Sequence, residues 1–102
     1  MNIEVLQQAI VKEQLLAAFY IKDYRTKQWQ EQRQQPYTVI LNIVAENQFD
    51  VYGFDEKGFK SFSNSYSTES EACAVALNVL RENTKEIREY LEAMQKKSRG
   101  FH

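Results

Sequence analysis

Between Tyr37 and Tyr66 three strand-like runs follow one another with only short turns between them, and that spacing commits the middle of the chain to an antiparallel meander. The first run, Tyr37 to Ala45, holds Val39, Ile40, Leu41, Ile43 and Val44, a largely β-branched apolar set suited to a central strand. Glu46-Asn47-Gln48 turns the chain, since Asn tolerates positive φ and polar side chains stay hydrated. Phe49 to Phe54 makes the second strand. Asp55-Glu56-Lys57-Gly58 then has Asp and Gly where a hairpin loop ending in a left-handed glycine wants them, and Phe59 to about Tyr66 makes the third strand. Alternation puts Val39, Leu41, Ile43, Phe49 and Val51 on one face and Ile40, Val44, Tyr52 and Phe54 on the other. A one-sided meander needs a single apolar face. The second is therefore covered within the chain, for instance by Phe19 to Trp29, or it meets another molecule.

Helical patterns bracket the strands. Asn2 suits an N-cap, and Ile3, Leu6 and Ile10 recur at helical spacing. The run from Leu15 to Ile21 is apolar on many sides; its Leu and Ala content predicts a buried helix reaching about Tyr24, with a strand beginning near Phe19 as the alternative, which would add a fourth strand over 19–29. At the other end Thr68 and Glu71 fit a capping box. Ala72, Ala76, Val79, Leu80, Ile87, Leu91 and Met94 then keep helical spacing, interrupted by Asn83. A helix from Thr68 to Lys96 is about 43 Å long, more than a sheet of this size spans. Alanines near its start let it lie close on the strands, while Ile87, Tyr90, Leu91 and Met94 pass beyond them, to pack on the N-terminal helix or on a second copy. The expected fold is α+β: a helix, a three-stranded antiparallel meander and a long C-terminal helix. Residues 1–97 form one domain and 98–102 a frayed tail.

A chain of 102 residues supports one core. Its net charge is −1, but both helical segments are mildly basic and the strand cluster is acidic, with Glu46, Asp50, Asp55, Glu56, Glu69 and Glu71 facing Lys57 and Lys60. The single Cys73 excludes an internal disulfide and a multi-cysteine zinc site, and together with the lack of a signal-type or membrane-spanning apolar run it places the chain in the cytoplasm.

The stretch Ser67 to Leu80, with Thr68 and Glu69 at the helix start, small residues at Ala74, Val75 and Ala76 and a closing Leu80, resembles the strand-to-helix junction of the double-stranded-RNA-binding domain. The likeness covers Tyr37 to Leu80 and implies that family's topology of helix, three antiparallel strands and helix. It does not carry RNA binding with it. The family's helix-start lysines meet phosphates, and Thr68 and Glu69 stand in their place; nor is its histidine-bearing loop found at Glu46 to Gln48.

Chemistry is sparse. His102 is the only histidine and ends the chain, which leaves the serines of Ser61 to Ser70 without an activating base. Glycines at 53, 58 and 100 form no phosphate-cradling loop, the acids of the second turn fit no calcium loop, and Cys73 reads as a buried, inert thiol. No cofactor, metal or small-molecule substrate is expected. The expected function is a non-enzymatic protein-binding module of the inhibitor, adaptor or immunity-factor kind, acting alone or as a homodimer. Candidate contacts are Trp29, Tyr52, Phe54 and Phe62 on the sheet side, and Ile87, Tyr90, Leu91 and Met94 on the helix. The alternative is nucleic-acid binding through Lys22, Tyr24, Arg25, Lys27, Trp29 and Arg33, where cations alternate with stacking rings in a glutamine-rich connector.

Overall fold

A computed structural model describes residues 1–26 and 35–99, with side chains to residue 97. In chain order the elements are α1 (Ile3–Lys12), β1 (Phe19–Asp23), β2 (Val39–Ala45), β3 (Gln48–Phe54), β4 (Lys60–Tyr66) and α2 (Glu69–Arg99). The sheet has the order β1-β2-β3-β4. β2, β3 and β4 form the antiparallel meander, and β1 joins its edge parallel to β2, with Phe19 opposite Val39 and Asp23 opposite Ile43. α2 runs to Arg99 and so takes in Ser98 and Arg99, which the sequence assigns to the tail; Gly100 to His102 lie outside the described residues.

The helix expected to reach Tyr24 stops at Lys12. Gln14 takes a left-handed conformation (φ 54°), which lets its N–H donate to Val11 O and the Leu15 N–H reach back to Ile10 O at 3.0 Å. These two bonds close the helix as a Schellman motif, with Gln where Gly usually stands. The apolar run beyond it then becomes β1. An amide ladder from Val39 N–H to Ala18 O through Tyr24 N–H to Ile43 O fixes it beside β2.

Cross-strand rows show how the faces divide. Phe19–Val39–Gly53–Phe62, Ile21–Leu41–Val51–Asn64 and Asp23–Ile43–Phe49–Tyr66 point to the inner face. There Val39, Leu41, Ile43, Phe49 and Val51 join Leu6 of α1 and Ala72, Cys73, Ala76, Leu77 and Leu80 of α2 in one core. Small residues at 72, 73 and 76, all fully buried, let α2 approach the sheet closely. The outer rows are Tyr20–Ile40–Tyr52–Ser63 and Lys22–Asn42–Asp50–Ser65, the latter joined by a Ser65 Oγ–Asp50 Oδ1 bond of 2.6 Å. Gly53 is small for a reason: a Cβ there would lie 2.5 Å from Cε1 of Phe62, whose ring covers it.

The ends of the elements are tied by side chains. The Asn2 carboxamide accepts from Val5 N–H, and the Thr68 hydroxyl accepts from Glu71 N–H, each capping its helix. Asp55 Oδ1 accepts from Lys57 and Phe59 N–H, and Gly58 takes φ 83° to finish that turn.

Candidate functional site

α2 divides into three stretches by what it touches. Glu69 to Leu80 lies on the sheet. From Arg81 to Arg88 it is bolted to the segment that joins α1 to β1. Arg81 forms a two-pronged ion pair with Glu13 (2.6 and 2.7 Å), buried Thr84 accepts from Leu16 and Ala17 N–H, and Arg88 donates to Gln14 O. The pairing holds the Glu13 carboxyl below the ordinary glutamate range, chiefly through the hydrogen bond from Arg81. Asn83 donates to Tyr37 O at 3.0 Å, so the sequence's polar interruption is a latch on the approach to β2.

Beyond Arg88 the helix leaves the body. Residues 89 to 97 are all exposed, and the molecule measures 57 × 26 × 22 Å. Yet the apolar stripe does not stop there. Leu80, Thr84, Ile87, Leu91 and Met94 fall within about 80° of one another at 3.6 residues per turn, so the stripe that seats α2 on its own core continues into the overhang. Ile87 is partly buried, while Tyr90, Leu91 and Met94 are 62%, 46% and 51% exposed. The four helix residues singled out from the sequence are thereby brought together, three of them on the free surface.

At the foot of the overhang lies an acidic collar. Tyr37 sits there in a left-handed conformation (φ 64°), its N–H donating to Asp55 O. Burial raises its phenol pKa, and the charges of Glu86, Glu56 and Asp55 push it the same way.

The sheet-side candidates fare differently. Phe54 is 7% exposed and meets Tyr52 edge-on at 6.1 Å, while Ile40 beside them is 8% exposed; the chain itself closes this part of the outer face. Phe62 is not on that face. It pairs with Gly53 in phase with Asn64 and Tyr66 and so faces inward over that glycine, while the extra residue Ser61 beyond it returns Lys60 to the outer face beside Phe54. The structure thus places Phe54 in the closed part of the outer face and a partly buried Phe62 against the core. Tyr52 remains half-buried, with the Lys60 ammonium 4.7 Å above its ring, and Trp29 lies outside the described residues.

The nucleic-acid set is only partly described, because Lys27, Trp29 and Arg33 also lie outside the described residues. Of the rest, Arg25 is held by Asp23 through bonds of 2.6 to 3.2 Å and sits over the Tyr24 ring, so its charge is already engaged. Lys22 is half-buried on β1. Cys73 is fully buried, and that burial pushes its thiol up to about 11, away from nucleophilic behaviour.

Among the described residues no group of His, Cys, Asp or Glu is arranged to hold a metal ion, and no helix is long and apolar enough to cross a membrane. A cleft of about 420 Å³ opens between the α1 terminus and α2; of its charges Glu13 and Arg81 are spent on each other and Arg88 on Gln14 O, and Lys85, Glu89 and Glu92 line its rim. Sequence reasoning missed Thr84, a polar residue inside the apolar stripe; its place between Leu80 and Ile87 at helical spacing is the signal that could have found it. Comparison with protein-family models, with curated proteins and with solved structures finds no match for this chain.

Proposed function

We propose that this chain is a small non-enzymatic module that binds another protein, in the manner of an inhibitor, adaptor or immunity factor, with the projecting end of α2 as its contact surface. The observation that carries the reading is the continuation of the core stripe through Ile87, Leu91 and Met94, with Tyr90 on its flank, past the last residue that the body covers. Folding does not require large apolar residues on a helix surrounded by water, whereas a partner's groove does. Aromatic and Met side chains are also those that protein interfaces enrich.

The test compares capture by the wild-type chain with capture by Leu91→Glu and Met94→Glu in the same lysate. Both substitutions fall on half-exposed positions, so far-ultraviolet circular dichroism and thermal midpoint should be unchanged. A protein retained stoichiometrically by wild type and lost by both folded variants supports the reading. A partner that both variants retain would place the contact elsewhere and sink this assignment.

A further inference from the structure

The partner that this overhang fits best is a second copy of the same chain. We propose that two copies pair their projecting α2 segments antiparallel, Leu91 and Met94 of each copy packing on Met94 and Leu91 of the other; this deepens the protein-binding reading and rests on it.

Geometry selects the direction. Below Ile87 the stripe of α2 faces its own sheet and the segment joining α1 to β1, and above Ile87 the same stripe faces open space. A second helix lying on the stripe therefore occupies the volume just beyond the end of the sheet. If it ran parallel, its own sheet, carried on its own stripe, would fall where the first sheet already stands. Running antiparallel, it carries its body past the free tip of the first helix, and the two bodies sit at opposite ends. Such a pair is two-fold symmetric, so one patch serves both copies.

Charge points the same way. Glu86, Tyr90 and Lys97 share one flank of the stripe, within about 40° of each other. In an antiparallel pair like flanks face each other, and with Leu91 level with Met94 of the other copy, Lys97 comes level with residue 88, between Glu86 and Tyr90. Lys97 at the tip of one copy then comes beside Glu86 of the other, while Lys96 points away from the contact. A parallel pair would instead set unlike flanks together, so Lys97 of one copy would face the Gln95 side of the other and not Glu86.

The contact is small. Three large side chains per copy, each about half exposed, cover on the order of 300–400 Å² a side, well short of the roughly 1,200 Å² total at which stable interfaces begin. The pair is thus reversible and depends on protein concentration.

Sedimentation equilibrium on the full chain, from about 10 µM to about 1 mM, is the direct test for an interface of this size class. The expected result is a monomer–dimer equilibrium that Leu91→Glu weakens at least about tenfold, as a charge buried in an apolar contact should. Glu86→Lys and Lys97→Glu each weaken it and their combination restores it, since the double variant exchanges the two charges across the interface. Lys97 is exposed, so its substitution leaves the fold intact. A monomer at every concentration overturns the self-pairing, as does a dimer indifferent to Leu91→Glu or a double charge variant that stays weak. In each of those cases the protein-binding reading is still judged separately, by the capture comparison.

Discussion

Replacing Thr84 by Val isolates the bond that fixes the path from α1 to β1. Thr84 is 1% exposed, and its Oγ1 accepts from Leu16 N–H at 3.0 Å and from Ala17 N–H at 3.4 Å. Val keeps the branched shape, and its helix propensity is close to that of Thr, so packing and helix terms nearly cancel. What is lost is an acceptor. The bond to Leu16 is worth about 1 kcal/mol, and stranding the buried Ala17 donor adds about 1–2 kcal/mol, for a total near 2–3 kcal/mol. With a urea slope of about 1.5 kcal/mol/M, the midpoint should fall by about 1.3–2 M at unchanged slope. Thr84→Ser keeps the oxygen and removes one methyl, at about 1 kcal/mol. Serine should therefore be milder than valine, the reverse of what pure packing predicts. If the valine variant unfolds within about 0.5 kcal/mol of wild type, or if serine is the worse of the two, the hydroxyl is not what pins this segment.

Gln14→Gly should raise stability by about 0.5–1 kcal/mol, because glycine takes the left-handed C′ position without steric cost; thermal midpoints of Gln14→Gly and Gln14→Ala, moving in opposite directions from each other, check it. Gly53→Ala should lose about 1–3 kcal/mol, since its Cβ meets the Phe62 ring, and a double variant with Phe62→Ala should lose less than the sum of the two singles. The Cys73 thiol, raised to about 11, contributes stability that is complete below the unfolded thiol value and is lost as pH rises through the folded one. Wild type should therefore weaken more steeply than Cys73→Ala between about pH 9 and 11, read from denaturant midpoints. Truncation after Glu89 should change stability by less than about 1 kcal/mol, because residues 89 to 97 are all exposed; a loss above about 2 kcal/mol would show that the overhang is part of the folded unit.

The meander and both helix starts were legible because their signals are local. Asn2, Thr68, the Asp55–Gly58 loop and the alternating apolar residues of β2 and β3 each act within a few residues of themselves, and each does in the structure what its chemistry suggests. The end of α1 was not legible. A Schellman closure normally advertises itself by glycine, and here a glutamine takes the conformation, so nothing in the run from Leu15 to Ile21 distinguished a helix from the parallel edge strand it forms. A strand of five residues beside a partner twenty positions away is decided by tertiary pairing. Phe62 was assigned by its apolarity alone. Its phase with Tyr66, and a glycine on the facing strand left bare for a ring to cover, were the clues that it turns inward. On α2 the four apolar residues were visible as a stripe, but which of them the body covers depends on where the sheet ends.

The overhang is helical for reasons that do not involve Leu91 or Met94. An isolated helix of this length is marginal because nucleation is costly, but here the turns grow from a stretch already fixed by Arg81, Thr84 and Arg88. Glu92 precedes Lys96 by four residues in the favourable order, and Lys96 and Lys97 near the end complement the helix dipole. Glutamine or lysine at 91 and 94 would serve that helix equally well in water. Apolar side chains at 91 and 94 are thus surplus to folding on a stretch of helix where residues 89 to 97 are all exposed. That separates two properties which are entangled everywhere else in α2. Upstream of Arg88 a substitution in the stripe tests stability; downstream of it the same substitution tests the proposed association.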